Sequence, residues 1–167
     1  MAPWSHACAP VQLRAAGYRR GECRQPEGAS IVTIASGRLP AYHETFADLA
    51  DVVLEESWVL HVDASLRRLS VTLDLVLTPE HREYSPPRAD ETHCHRRGTL
   101  IVDSDTAILA RRSTCPPAID VTGEADYGHI DTFTRATDIA DDVWQLSGEW
   151  GEALIRQPRV HVRLEVR

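Results

Sequence analysis

The stretch Arg68-Leu69-Ser70-Val71-Thr72-Leu73-Asp74-Leu75-Val76-Leu77-Thr78 decides the fold class. Leu69, Val71, Leu73, Leu75 and Leu77 fall on one side, and Arg68, Ser70, Thr72, Asp74 and Thr78 on the other, with Val76 the single exception. Successive side chains of a strand point to opposite faces, so this is the pattern of an antiparallel sheet with one face on a core and one in water. Immediately upstream, Trp58, Leu60 and Val62 alternate with Val59, His61 and Asp63, and Ala64-Ser65 marks a turn. Two alternating runs joined by a short polar turn predict a β-hairpin, ended by Pro79.

Working outward, residues 79–97 form a polar loop with three prolines. Residues 98–102 predict a strand, paired with 106–110 across Asp103-Ser104-Asp105. Pro116-Pro117 and Gly123 make 113–126 a loop, and further strands are expected at 127–134, 143–147, 153–156 and 160–166, with turns at Gly148, Gly151 and Pro158. In the last strand Val160, Val162, Leu164 and Val166 share a face. On the N-terminal side, Phe46, Leu49, Val53 and Leu54 recur at helical spacing and predict one helix over 41–54, entered after Pro40. Residues 1–40 are broken by prolines and glycines, with only Ile31-Val32-Thr33-Ile34 strand-like, and read as a poorly structured extension. The expected architecture is mainly β: an antiparallel β-sandwich or flattened barrel of about seven to eight strands over 41–167, with one N-terminal helix. Trp58, Trp144 and Trp150 are its candidate core or core-rim aromatics.

Composition narrows the function classes. All 18 basic residues are arginine, and the formal net charge is −7. The charge is segregated: residues 1–40 carry five arginines against two acids, whereas 116–152 carry nine acids against Arg135 alone. An acidic body argues against a nucleic-acid partner, because holding phosphates needs clustered positive charge, and favours small ligands, a basic protein partner, or nothing beyond solubility. No apolar run is long enough for a membrane helix and no secretion signal is evident, so a cytoplasmic monomer or homodimer with reduced cysteines is expected.

Three stretches could carry chemistry or recognition. Within 116–152, Glu124, Asp126, Asp131, Asp138, Asp141 and Asp142, with Trp150 in the turn Gly148-Glu149-Trp150-Gly151, are the candidate partner-binding residues. His93-Cys94-His95 places two imidazoles on one side of an extended segment, where they could begin a site for a divalent transition metal. A third ligand would come from His129, Cys115 or His81, and Arg96-Arg97 beside the pair opposes a cation. His129 and Asp131 share a strand face, so the carboxylate could orient the imidazole as a general base; no nucleophile accompanies them.

The runs Glu56-Ser57-Trp58-Val59-Leu60, Leu77-Thr78-Pro79-Glu80-His81, Arg97-Gly98, Asp126-Tyr127-Gly128-His129-Ile130-Asp131 and Gly148-Glu149-Trp150-Gly151 resemble a group of small uncharacterised bacterial β-rich proteins, loosely similar to immunity families of polymorphic toxins. The resemblance covers residues 42–165, rests on turn and core positions, and implies a bacterial, cytoplasmic, mainly-β unit without carrying over any catalytic residue. The leading expectation is a non-enzymatic, cofactor-free binding module, immunity- or inhibitor-like, presenting an acidic surface to a protein partner. The alternative is a metal- or small-ligand-binding β-barrel, with a possible enzymatic role, built on His93, His95 and His129.

Overall fold

The 68–78 alternation folds as a strand at the heart of the molecule. The computed structural model describes residues 39–88, 91–119 and 123–166. The chain divides into two units between Arg38 and Leu39, and the expected N-terminal extension falls outside the described residues apart from its last two positions. The described strands are β1 (Val52–Ala64), β2 (Arg68–Leu77), β3 (Cys94–Asp103), β4 (Leu109–Arg112), β5 (Ala118–Ile119), β6 (Ala125–Asp126), β7 (Ile130–Arg135), β8 (Val143–Gly148), β9 (Gly151–Arg156) and β10 (Arg159–Leu164).

One antiparallel sheet has the order β1-β2-β3-β10 and a second the order β4-β9-β8-β7, while β5 and β6 form a two-stranded ribbon. In β2, Leu69, Val71, Leu73, Leu75 and Leu77 are buried, as their alternation requires. The β1–β2 hairpin closes where the Ser65 N–H donates to the Arg68 carbonyl. Leu73 and Leu100 from the first sheet and Phe133, Leu146 and Ile155 from the second belong to a single buried cluster. The fold is therefore mainly β and antiparallel, but the sheets do not close into a barrel: β10 and β4 each remain at the end of a strand order.

Two expectations need correction. The helix placed over 41–54 is one turn, α1 (Tyr42–Thr45), followed by a 3-10 turn, Ala47–Leu49, and β1 already begins at Val52. Phe46 and Leu49 do turn toward the core, yet the β-branched Val52-Val53 pair fits a ladder opposite Leu77 and Val76 better than another helical turn. Tyr42 fastens α1 to that strand: its hydroxyl donates to Glu55 Oε2 at 2.7 Å and accepts the Leu54 N–H at 3.2 Å. Residues 106–110 do not pair with β3. Both flanks of β3 are taken, by β2 and β10, and β4 pairs with β9 instead.

Sheet edges are partly covered. The β10 edge is touched by the 3-10 turn, where Asp48 Oδ2 accepts the Val162 N–H at 3.1 Å. Among the described residues no helix is long and apolar enough to cross a membrane.

Candidate functional site

The site begins with an irregularity in β1. Its register with β2 runs Val52↔Leu77 and Val53↔Val76, then resumes at Trp58↔Asp74. Four residues of β1 thus lie opposite one of β2, a wide bulge that re-aims the strand. The buried Ser57 hydroxyl repairs the ladder, donating to the Val53 carbonyl at 2.6 Å and accepting the Val76 N–H at 3.0 Å. Val59 comes out fully buried on the far side of the bulge, so its neighbour Trp58 must face the other way, and its indole is 40% exposed. Of the core and core-rim positions expected for Trp58, the core interior is excluded. Trp144 and Trp150 are buried as expected, at 3% and 4% exposure.

Trp58 is not a loose surface aromatic. Its ring meets the half-buried imidazole of His129 with centroids 3.9 Å apart, and the two backbones form an isolated antiparallel bridge. The bridge extends on both sides: the Val59 N–H donates to the Gly128 carbonyl, and the Tyr127 N–H to the Val59 carbonyl. Gly128 makes this approach possible. Its φ of +75° suits glycine, and a Cβ there would meet the Glu149 side chain. Asp126 Oδ1 accepts the Gly128 N–H at 2.8 Å, locking the turn that delivers His129 to Trp58.

Several acidic groups lie close to this aromatic pair. Asp74, across the ladder from Trp58, and Glu124 both hold the Arg97 guanidinium, Glu124 through two contacts of 3.0 Å. These hydrogen bonds, Asp74's first, push the Arg97 pKa further above its ordinary value, so the guanidinium stays charged and neutralises one of its two carboxylates. Asp126, Asp131 and Glu149 form no ion pair among the described residues. Asp74, Asp126 and the Glu149 that borders Gly128 thus bring acidic side chains near the exposed Trp58 indole.

The remaining acids of the 116–152 stretch lie elsewhere. Asp138, Asp141 and Asp142 sit in the β7–β8 turn, separated from His129 by the six residues of β7, about 20 Å at strand rise. Asp142 there pairs with Arg156 at 3.1 Å and accepts from Gln157, while the Asp141 carbonyl accepts from Arg135. Trp150 belongs to the core cluster and has little surface to offer. Among the described residues, the acids of this stretch thus fall toward opposite ends of the β7–β8 hairpin, and the exposed Trp58 lies at the His129 end.

The metal ligands do not converge. His93 and His95 are near neighbours, with ring centroids 6.1 Å apart, as their i, i+2 spacing requires. His129, however, pairs with β1, whereas His95 lies on β3 beyond β2; three strand spacings of about 4.8 Å put them roughly 14 Å apart. Ligands of one zinc lie about 2–2.3 Å from it, so the trio cannot share an ion. Cys115 is disulfide-bonded, which corrects the expectation of reduced thiols at that position and removes it as a ligand; Cys94 is a free, buried thiol. Among the described residues no group of three or more His, Cys, Asp or Glu side chains could hold a metal ion. Nor does Asp131 orient His129: among the described residues no hydrogen bond joins them, and the imidazole is committed to Trp58.

Sequence reasoning named Glu124 and Asp126 as partner-binding candidates and His129 as a metal ligand, and it placed Trp58 at the core or its rim rather than on an exposed surface, because a run of alternating residues hides a bulge just ahead of it. The available signal was Glu55-Glu56, two consecutive charges that no half-buried strand alternation accommodates. No family model, no curated protein and no solved structure matches this chain.

Proposed function

We propose that this unit is a non-enzymatic binding module, immunity- or inhibitor-like, that presents an acidic surface to a basic protein partner, and that Trp58 anchors the contact. The observation that carries this reading is the exposed Trp58 indole, packed on His129, with Asp74 across the ladder from it and Asp126 and Glu149 at the Gly128 turn that delivers His129. Binding energy concentrates in a few pre-positioned aromatics, tryptophan foremost, while surrounding charges of one sign speed encounter with an oppositely charged partner. The same charge disfavours nucleic acid, whose phosphates it repels. We also read the two four-stranded sheets as the layers of a sandwich, on the ground that both contribute to one core cluster.

The test is to cross-link the protein in its native host, identify the partner, and measure affinity with both proteins purified. Trp58→Ala is expected to weaken binding by about thirtyfold or more, the ~2 kcal/mol that defines a hot spot. Asp126→Lys with Asp131→Lys should slow association and flatten its salt dependence. An identified partner that binds the Trp58→Ala protein with undiminished affinity would overturn the reading.

A further inference from the structure

We propose that the edge of β10 beyond the Asp48 contact, which no strand pairs among the described residues, is a strand-addition site that takes an extended, basic segment of a partner protein. It stands apart from the Trp58 surface and shares no residue with it. The pairing of β10 with β3 fixes which backbone groups are free. Arg159↔Asp103 through Leu164↔Gly98 are opposite one another, and the Glu165 N–H donates to the Arg97 carbonyl at 2.9 Å. In an antiparallel ladder residues alternate between those that bond the neighbour and those that face away. The odd-numbered residues of β10 bond β3, so the N–H and C=O groups of Val162 and Leu164 face the open edge. Asp48 confirms the phase, since its carboxylate reaches that edge and takes the Val162 N–H. Among the described residues no other hydrogen bond reaches the edge groups of Val162 or Leu164.

Residues 162–166 line a cleft of about 900 Å³ together with residues 47, 48, 51, 80–84 and Arg96. An added strand advances about 3.4 Å per residue; past the Asp48 contact it would pair first at Leu164, the last residue of β10, and run on beside Glu165 and Val166. Five acidic residues line the cleft against three arginines, and one of those arginines, Arg96, already faces Glu83 at 3.6 Å. Backbone pairing would supply affinity without sequence preference, and the acidic excess would select lysine- or arginine-bearing segments. Asp48 stands where a carbonyl of the incoming strand would otherwise accept the Val162 N–H. It therefore blunts the edge against indiscriminate pairing while leaving Leu164 open, the usual way an edge strand is protected.

The probe is a fluorescently labelled peptide of alternating lysine and valine, its binding to the full chain followed by anisotropy, with an alternating glutamate–valine peptide as control. Two further lysine–valine peptides carry backbone N-methyl groups, one on its valines and one on its lysines, keeping charge and length unchanged. Saturable binding of the lysine–valine peptide is expected, with one methylated version losing about tenfold or more and the other tolerated, because only one set of N–H groups faces β10. Amide exchange at Leu164 should slow on binding, and Trp58→Ala should bind the peptide as well as wild type does. The proposal is overturned if the peptide fails to bind, if both methylated peptides bind like the parent, if the glutamate–valine peptide binds equally, or if Trp58→Ala abolishes binding.

Discussion

Ser57 shows how much one hydroxyl can decide. It occupies the bulge of β1, is fully buried, and supplies the acceptor that the Val76 N–H would otherwise lack. Ser57→Ala should cost about 1–3 kcal/mol, the penalty for leaving a buried donor unsatisfied, measured as a lower urea midpoint with an unchanged slope. Trp58→Ala should cost far less stability, about 1 kcal/mol, because the indole is substantially exposed and the change forfeits chiefly the ring contact with His129. A large effect on partner affinity beside a small one on stability separates recognition from packing at this position. At this scale the sequence was readable where a side chain obeys its local period, as Leu69 to Leu75 do. It was unreadable at Trp58, where a jump in the β1–β2 register sets the direction, whereas Trp150 is buried, the favoured of the two readings its glycine-bracketed turn allowed.

Elements are joined by a few side chains, and Tyr42 is the clearest. Burial, and then its hydrogen bond to Glu55, raise its phenol well above the ordinary value of 10.0. Below that value both folded and unfolded chains keep the proton and the contribution is intact. As pH climbs past it the unfolded chain loses its proton while folded Tyr42 holds on, so stability falls with rising pH. Unfolding measured at pH 8 and pH 11 should show this loss in wild type and a smaller one in Tyr42→Phe. At neutral pH the variant is itself expected to be weaker by about 1–3 kcal/mol, because the Leu54 N–H loses its acceptor. Most strands were legible from their alternation and turn residues, β2, β8 and β9 above all. The helix over 41–54 was overread because Phe46, Leu49, Val53 and Leu54 satisfy a helical period while serving two different elements. The partner of β4 could not be read at all, since pairing between strands distant in sequence is settled by which edges remain free.

The whole unit depends on both sheets contributing to one core. Leu73 of β2 and Leu146 of β8 are each fully buried in it. Leu73→Ala and Leu146→Ala should therefore each remove about 2–5 kcal/mol from one shared transition, with circular dichroism and tryptophan fluorescence moving together. Separate transitions for the two variants would show that the sheets melt independently. The acidic character of the molecule was visible in composition, yet its division between the Trp58 surface and the β7–β8 turn was not, because nine acids in one stretch say nothing about which way a hairpin carries them. The bulge in β1 has one more consequence, for how such a chain could vary over time. A strand with three residues to spare holds slack, and the exposed pair Glu55-Glu56 lies within it. A lost or gained codon there can be absorbed by a shorter or longer detour, leaving Val59 inward and His61 outward, whereas the same change anywhere in β2 would throw every following side chain out of phase.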